Sequence, residues 1–266
     1  MYAFGSSSAP TCASQRPDQA PAPRLPAAFD ARTILVRVPE RCHVSRASAH
    51  PPAYAWLAVP ADCYQERLWE TVPEHLDPPH FQLRREFLME HVTSGERLLD
   101  VGCAEGRFAA ELVRAGVTVV GVDVAREPLR RARARHADLD LRVVPADGSW
   151  PLEDASFDVV WAGEVIEHVA DTASFLSEVR RVLRPRGRLL LSTPDHGVLT
   201  RLHLALSARA FEAHMDPLSD HLRFYTRRTL ARVLSDFRFD SVNVSPAAGV
   251  PGARSVLLAS ALRARW

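Results

Sequence analysis

The 266-residue chain contains no lysine; all 33 of its basic residues are arginine. A Schiff-base enzyme, a P-loop phosphate site and a dehydrogenase built on a Tyr/Lys pair each need a lysine amine, so all three are excluded. Cysteine is scarce too: Cys12, Cys42, Cys63 and Cys103 form no C-x-x-C pair and three of them fall in the first quarter. That spacing argues against a disulfide framework and against a structural zinc site. No apolar run reaches the ~18 residues of a membrane span, and the N-terminus lacks a charged segment followed by an apolar one, which makes the cytoplasm the expected location. The formal net charge of +1 leaves no broad electrostatic footprint for nucleic acid.

What is present is 47% hydrophobic, enough for the core of one α/β domain with added segments. Residues 1–62 are rich in Pro, Ala and Ser and read as a disordered or non-native extension, relieved only by a candidate strand alternating Ile34, Val36 and Val38. Residues 63–266 read as one domain. After a helix predicted over "PPHFQLRREFLMEHV", apolar strands alternate with amphipathic helices: "ERLLDVG", "VTVVGVD", "LRVVPAD", "FDVVWAGE" and "RLLLSTP" are the strands. The helices between them include the arginine-dense "REPLRRARARHA", which reads as a solvated surface because its charges recur all round without interleaved aromatics. Such alternation predicts a doubly wound, mostly parallel sheet with ligands beyond the carboxyl ends of the strands. From Asp195 to about Tyr225 the alternation stops, in a segment placed where a helical lid would follow strand 5. A helix at "TRRTLARVLSDF" and two further strands then complete seven.

The most informative stretch is "LLDVGCAEGRF". Strand, glycine turn and helix bring bare backbone close to a ligand, but Asp100, two residues ahead of Gly102, would repel a pyrophosphate and hold an ammonium group. The arrangement resembles the first motif of class I S-adenosylmethionine-dependent methyltransferases. It covers roughly residues 80–262, with Asp123 closing "VVGVD", Asp147 in "VVPADG", and the fourth- and fifth-strand signatures "FDVVWAGEVIEHV" and "LRPRGRLLLSTP". The resemblance implies S-adenosylmethionine as cofactor. It assigns the turn Gly102, Cys103, Ala104 and Gly106 to cofactor contact, Asp100 to the methionine end, Asp123 with Val124 to the ribose, Asp147 with Gly148 to the adenine, and Glu164 to the methionine part. Ala104 replaces the middle glycine of the motif, which a negative φ would tolerate. Trp150 is expected over the adenine or in the core.

"GEVIEHV" sets Glu164, Glu167 and His168 at i, i+3 and i+4, one side of a helix, and is similar to the ubiquinone-pathway O-methyltransferases, whose matching residues bind a divalent cation. Two readings stand: Mg²⁺ ligation by carboxylates and an imidazole, or a brace within the fold. The resemblance further implies methyl transfer to a small-molecule acceptor, O-methylation first. N- or C-methylation, a non-catalytic cofactor-binding partner and a nicotinamide-dependent dehydrogenase are the alternatives. His221, His196 and His214 are the candidate bases, all expected near the lid.

Overall fold

A computed structural model describes residues 61–266 apart from 75, 218, 251, 252 and 266. The extension expected over residues 1–62, with its Ile34–Val38 strand, lies almost wholly outside the described residues. The described chain begins with helix α1 (Ala61–Thr71) and helix α2 (Phe81–His91). Five strand units follow: β1 (Arg97–Val101), β2 (Thr118–Asp123), β3 (Asp140–Val143), β4 (Phe157–Gly163) and β5 (Leu183–Pro194). Helix α3 (Arg107–Arg114) joins β1 to β2, α4 (Arg126–Arg135) joins β2 to β3, and α5 (Thr172–Val182) joins β4 to β5.

All seven strands lie in one sheet of order β3-β2-β1-β4-β5-β7-β6. The first five pair in parallel, as expected. The last two, β6 (Phe239–Val250) and β7 (Ala253–Arg263), form a hairpin whose second strand inserts antiparallel beside β5. Both run further than their apolar cores suggested, because cross-strand pairing continues past Ser245 to Val250.

Adjacent residues along each strand feed opposite faces, the period-2 geometry of a sheet covered on both sides. Leu99, Val120, Val160 and Leu189 pack with α5 and with helix α8 (Arg227–Asp236). Their neighbours Leu98, Val119, Val159 and Leu190 pack with Leu88 of α2 and Phe108 and Leu112 of α3. Thr226 caps α8 through a reciprocal capping box with Thr229, fixing where the chain re-enters the domain.

Between β5 and α8 stand two short helices, α6 (Val198–Leu206) and α7 (Ala208–His214), neither of which buries a single residue. Leu199, Leu202, Leu206 and Phe211 are exposed there. An isolated bridge between Asp195 and Tyr225 closes the base of this insertion. Among the described residues no helix is long and apolar enough to cross a membrane.

Gly121 links this packing to the turn after β1. A methyl group added there would lie 2.7 Å from Leu141 Cδ2 and 2.9 Å from Cys103 Sγ. Gly121→Ala is therefore expected to destabilise the fold by ~1–3 kcal/mol through overpacking and to displace the turn. Chemical denaturation checks the first effect, and a stability within ~0.5 kcal/mol of the parent would contradict it.

Candidate functional site

At the carboxyl edge of the sheet the chain leaves β1 through a turn in which Gly102, Ala104 and Gly106 all have positive φ, at 66°, 48° and 73°. The expectation of a negative φ at Ala104 is corrected here. Its methyl group sits in the left-handed region, a strain that persists only where surrounding bonds hold the backbone. Those bonds are present. Asp123, at the end of β2, accepts the Ala104 N–H at 3.0 Å and the Ala125 N–H at 2.9 Å. The Cys103 N–H donates to the Val122 carbonyl at 3.0 Å. Burial pushes Asp123 up to about 6 against the lowering effect of its backbone donors. A carboxylate offers about four acceptor sites, so two remain for a ligand.

A cleft of about 290 Å³ opens over this turn, and Gly102, Ala104, Asp123, Val124, Asp147 and Glu164 all line it. Trp150 borders the cleft, is 7% exposed and packs edge-on against Phe175, as expected of a core residue. A second cleft of about 240 Å³ adjoins the first, sharing Gly102, Ala104 and Glu164, and takes in Asp100 and Cys103. Gly106 and Gly148 line neither cleft. The first is the N-cap of α3, and the second has φ of 95° in the loop after β3.

The second cleft also contains Arg84 of α2, which the sequence reading did not single out. Arg84 and Asp100 are each only 2% exposed. The guanidinium lies 4.8 Å from the Phe108 ring centroid, donates to the Pro79 carbonyl at 3.1 Å and leaves its Nε unpartnered. Asp100 Oδ2 is likewise buried without a hydrogen-bond partner, and burial pushes this carboxyl up to about 8, with Arg84 opposing. One buried cation and one buried acid, each with an unused atom in the same cleft, are complementary to an α-amino-acid zwitterion. The buried Cys103 thiol is held well above its usual range by burial, and is no nucleophile.

Residues 164–169 form a tight turn and not the helix assumed for the E-x-x-E-H spacing. Glu164 has φ of 59°; its N–H donates to the Ser192 carbonyl at 3.0 Å and its carboxylate accepts the Ser192 hydroxyl at 2.7 Å. Glu164 stays near the group it was expected to join but is not among the residues whose ligand atoms converge. Glu167, His168 and His221 instead bring one ligand atom each within 4.8 Å of one another. Glu167 Oε2 accepts the Thr193 hydroxyl at 3.0 Å, while Oε1 is buried and unpartnered. Burial and the nearby Glu164 raise the Glu167 carboxyl. His168 Nδ1 sits 3.0 Å from the Asp220 carbonyl oxygen, and its ring meets that of His221 edge-on at 4.8 Å.

The three candidate bases fall into two places. His196 is buried, its Nδ1 lies 3.2 Å from the Tyr225 carbonyl and its Nε2 3.0 Å from His214 Nε2. With Nδ1–H donating to Tyr225, the pair is satisfied when His214 Nε2–H donates to His196. Burial lowers both imidazoles, which keeps them neutral near pH 7. His221 stands apart, beside His168, and burial followed by His168 lowers it.

Helix α4 also departs from the solvated surface expected of it. Arg130 is exposed there, but Arg131 is 7% exposed and donates to the Trp69 and Val72 carbonyls at 2.8 Å each.

A doubly wound sheet with acids at the ends of β1 and β2, bordering two adjoining clefts, is an arrangement suited to a nucleoside ligand. Residues 99–191 match the family described as "Methyltransferase domain". A 27-O-demethylrifamycin SV methyltransferase of Amycolatopsis mediterranei is 45% identical over 104 residues, 37% of this chain and 38% of the relative. A ubiquinone biosynthesis O-methyltransferase of Aeromonas salmonicida is 33% identical over 146 residues, 52% of this chain and 60% of the relative. The chain thus spans about half the length of such relatives. In fold it is similar to a Methanosarcina mazei SAM-dependent methyltransferase, at a TM-score of 0.52 and 23% identity over 67% of this chain and 97% of the other. Haemonchus contortus phosphoethanolamine N-methyltransferase 2, solved with S-adenosyl-L-methionine, aligns at 0.55 and 16% identity, over 77% and 57% of the two chains. Residues 99–191 therefore carry a methyltransferase domain, and the sheet that holds them is similar in fold to S-adenosylmethionine-dependent methyltransferases.

Asp100 gives the site a stability signature. Folding raises its carboxyl from 3.8 to about 8, so between those values the folded protein keeps a proton that the unfolded chain has lost. This contribution is complete below pH ~4 and disappears as pH rises through about 8. Asp100→Asn should flatten that slope and raise the melting temperature at pH 8 by roughly 2–10 °C. Melting curves from pH 5 to 8.5 check this, and parallel profiles for parent and variant would refute it.

Proposed function

We propose that this protein transfers the methyl group of S-adenosylmethionine to a small-molecule acceptor, with an oxygen as the accepting atom. The single observation that carries the reading is the pairing of buried Arg84 and Asp100, each with an unsatisfied atom, in a cleft that opens directly onto the one bordered by Asp123. Bound there, the cofactor would supply an electrophilic methyl on a sulfonium, leaving as the neutral thioether. Arg84 would hold the amino-acid carboxylate and Asp100 the ammonium. Asp123 would accept both ribose hydroxyls, with Val124 beside them, and Asp147 the adenine amine, against the face of Trp150. Gly102 and Ala104 let the backbone approach, while Gly106, Cys103 and Gly148 shape the turns around them.

The segment 195–225 is the candidate lid. The backbone N–H groups of Leu222 and Arg223 donate to the Glu167 carbonyl at 2.8 and 3.0 Å, which brings Asp220 and Leu222, the neighbours of His221 in the chain, to the cleft that Glu164 and His168 line. Burial of the methyl acceptor there would exclude water and align it with the sulfonium, the larger part of the catalysis. His221 is the base of choice, because its imidazole is neutral near pH 7 and has no histidine hydrogen-bonded to it, whereas His196 and His214 satisfy each other. An oxygen acceptor is favoured by the two relatives whose names specify O-methylation.

One observation favours a second arrangement of the same site: the unpartnered Glu167 Oε1 close to His168 and His221 suits a divalent cation such as Mg²⁺, which would polarise an acceptor oxygen.

Calorimetry tests cofactor binding. S-adenosylmethionine should bind where NAD does not, and at pH 7 binding should release a proton from Asp100, so the heat depends on the ionisation enthalpy of the buffer. Affinity should climb as pH rises towards about 8, and Arg84→Gln should weaken it ~10- to 100-fold. Absence of binding would defeat the proposal.

Turnover separates the two arrangements at His221. As a base, its replacement in His221→Gln lowers kcat by roughly 10²- to 10⁴-fold with cofactor affinity intact and full parent activity in EDTA. Loss of parent activity in EDTA, restored by Mg²⁺, selects the cation instead. A variant with parental kcat removes His221 from both.

A further inference from the structure

We propose that Arg131 is a positioning residue that fastens α1 over the cofactor cleft, making α1 a cover that must undock for cofactor exchange. The inference rests on the functional reading above and adds a residue to it. Gln65, Leu68 and Trp69 line the larger cleft, and Trp69 and Val72 line both, so the helix roofs the space above the glycine turn. None of the α1 side chains from Tyr64 to Thr71 is fully buried. Packing alone does not hold the helix down.

Two anchors tie it to α4. At the carboxyl end of α1 the Arg131 guanidinium takes the Trp69 and Val72 carbonyls at 2.8 Å each, groups that a helix terminus leaves without partners. On the preceding turn Glu66 accepts the Arg126 and Glu127 N–H groups at 2.5 and 3.3 Å, occupying the exposed donors that open α4.

Arg131 reaches the site as well as its cover. Its Nε donates to Glu127 at 2.9 Å and Nη1 lies 3.4 Å from Glu105, a residue of the glycine turn that Arg135 also binds. The carboxylates of Glu127 and Glu105 neutralise this guanidinium whether or not α1 is docked. Undocking therefore strands no charge. It exchanges the two carbonyl bonds and those of Glu66 for water, a cost small enough to be met in each turnover yet large enough to keep the helix closed. A lysine could not serve both carbonyls and both carboxylates, because it lacks the planar fork of donors.

The test uses the full chain and measures the dissociation rate of S-adenosylhomocysteine by surface plasmon resonance, with amide hydrogen exchange of residues 64–72 in the ligand-free protein. Arg131→Gln should raise the dissociation rate roughly 10- to 100-fold and speed exchange in α1. Glu66→Ala, which cuts the other anchor and leaves Arg131 in place, should raise the rate by roughly 3- to 10-fold. Arg131→Lys should recover part of the loss. Unchanged dissociation and unchanged α1 exchange in both folded variants would overturn the inference. If Arg131→Gln gives no cooperative melt, Glu66→Ala alone decides between these outcomes. If the parent binds neither S-adenosylmethionine nor S-adenosylhomocysteine, the functional reading fails and α1 exchange alone decides whether Arg131 is the latch.

Discussion

Two carboxylates stand at the carboxyl ends of neighbouring parallel strands, Asp100 on β1 and Asp123 on β2, both buried and both raised by that burial. Nothing in packing favours such an arrangement, since each acid costs free energy until something positive or hydrogen-bonding faces it. The geometry of the site follows from how each is satisfied. Asp123 draws the Ala104 and Ala125 N–H groups onto its oxygens, which holds the glycine turn in a left-handed path that alanine would otherwise avoid. Asp100 keeps an unpartnered oxygen, and Arg84 comes in from α2 on the other side of the same cleft. The fold thus carries an unfavourable charge distribution that a zwitterionic ligand relieves.

The two halves of the site are built differently. The cofactor half rests on β1, β2 and β4, whose side chains are locked into cores on both faces of the sheet. The segment proposed as the lid has two helices that bury nothing and expose Leu199, Leu202, Leu206 and Phe211. The contacts that tie that segment down gather at its ends, among them the Asp195–Tyr225 bridge, the His196–His214 pair, the His168–Asp220 contact and the bonds of Leu222 and Arg223 to Glu167. Rigid support where the cofactor is common to a family and loose support where acceptors differ is the division expected when function is grafted onto a shared fold.

Much of the sheet and of the turn after β1 was legible in the sequence. The strand–turn–helix around Asp100, the acid that closes β2 and the seven-strand alternation are local patterns, and periodicity reports local structure well. The failures share one cause, which is that they depend on what lies across space. An arginine in "QLRREF" or "REPLRRARARH" looks solvated, and only packing reveals Arg84 between aromatic rings and Arg131 beneath α1. The E-x-x-E-H spacing suggested a helical face, but a bond from Glu164 to Ser192 on β5 pulls the segment into a turn and exchanges Glu164 for His221 in the cluster. Ala104 followed the same logic, its φ being set by Asp123 nineteen residues away. The pairing of His196 with His214 had no sequence signal at all, because eighteen residues of insertion separate them.

The missing lysines acquire a physical meaning in this setting. A buried ammonium would shed its proton under the desolvation that lowers Arg84, whereas a guanidinium, far more basic to begin with, stays charged. The charge on Arg84 is therefore insensitive to pH, and beside it the carboxyl of Asp100 is the group that titrates. Asp100 at about 8 and Asp123 at about 6 then set the pH response of the clefts between them, one through an ammonium partner and the other through hydroxyl donors. An amine that ionises Asp100 on binding also brings a compensating charge to Arg84 through its own carboxylate. Neutral ligands of similar shape offer neither and leave both buried groups unsatisfied. Discrimination for an amino-acid head group follows from that penalty on the alternatives as much as from attraction.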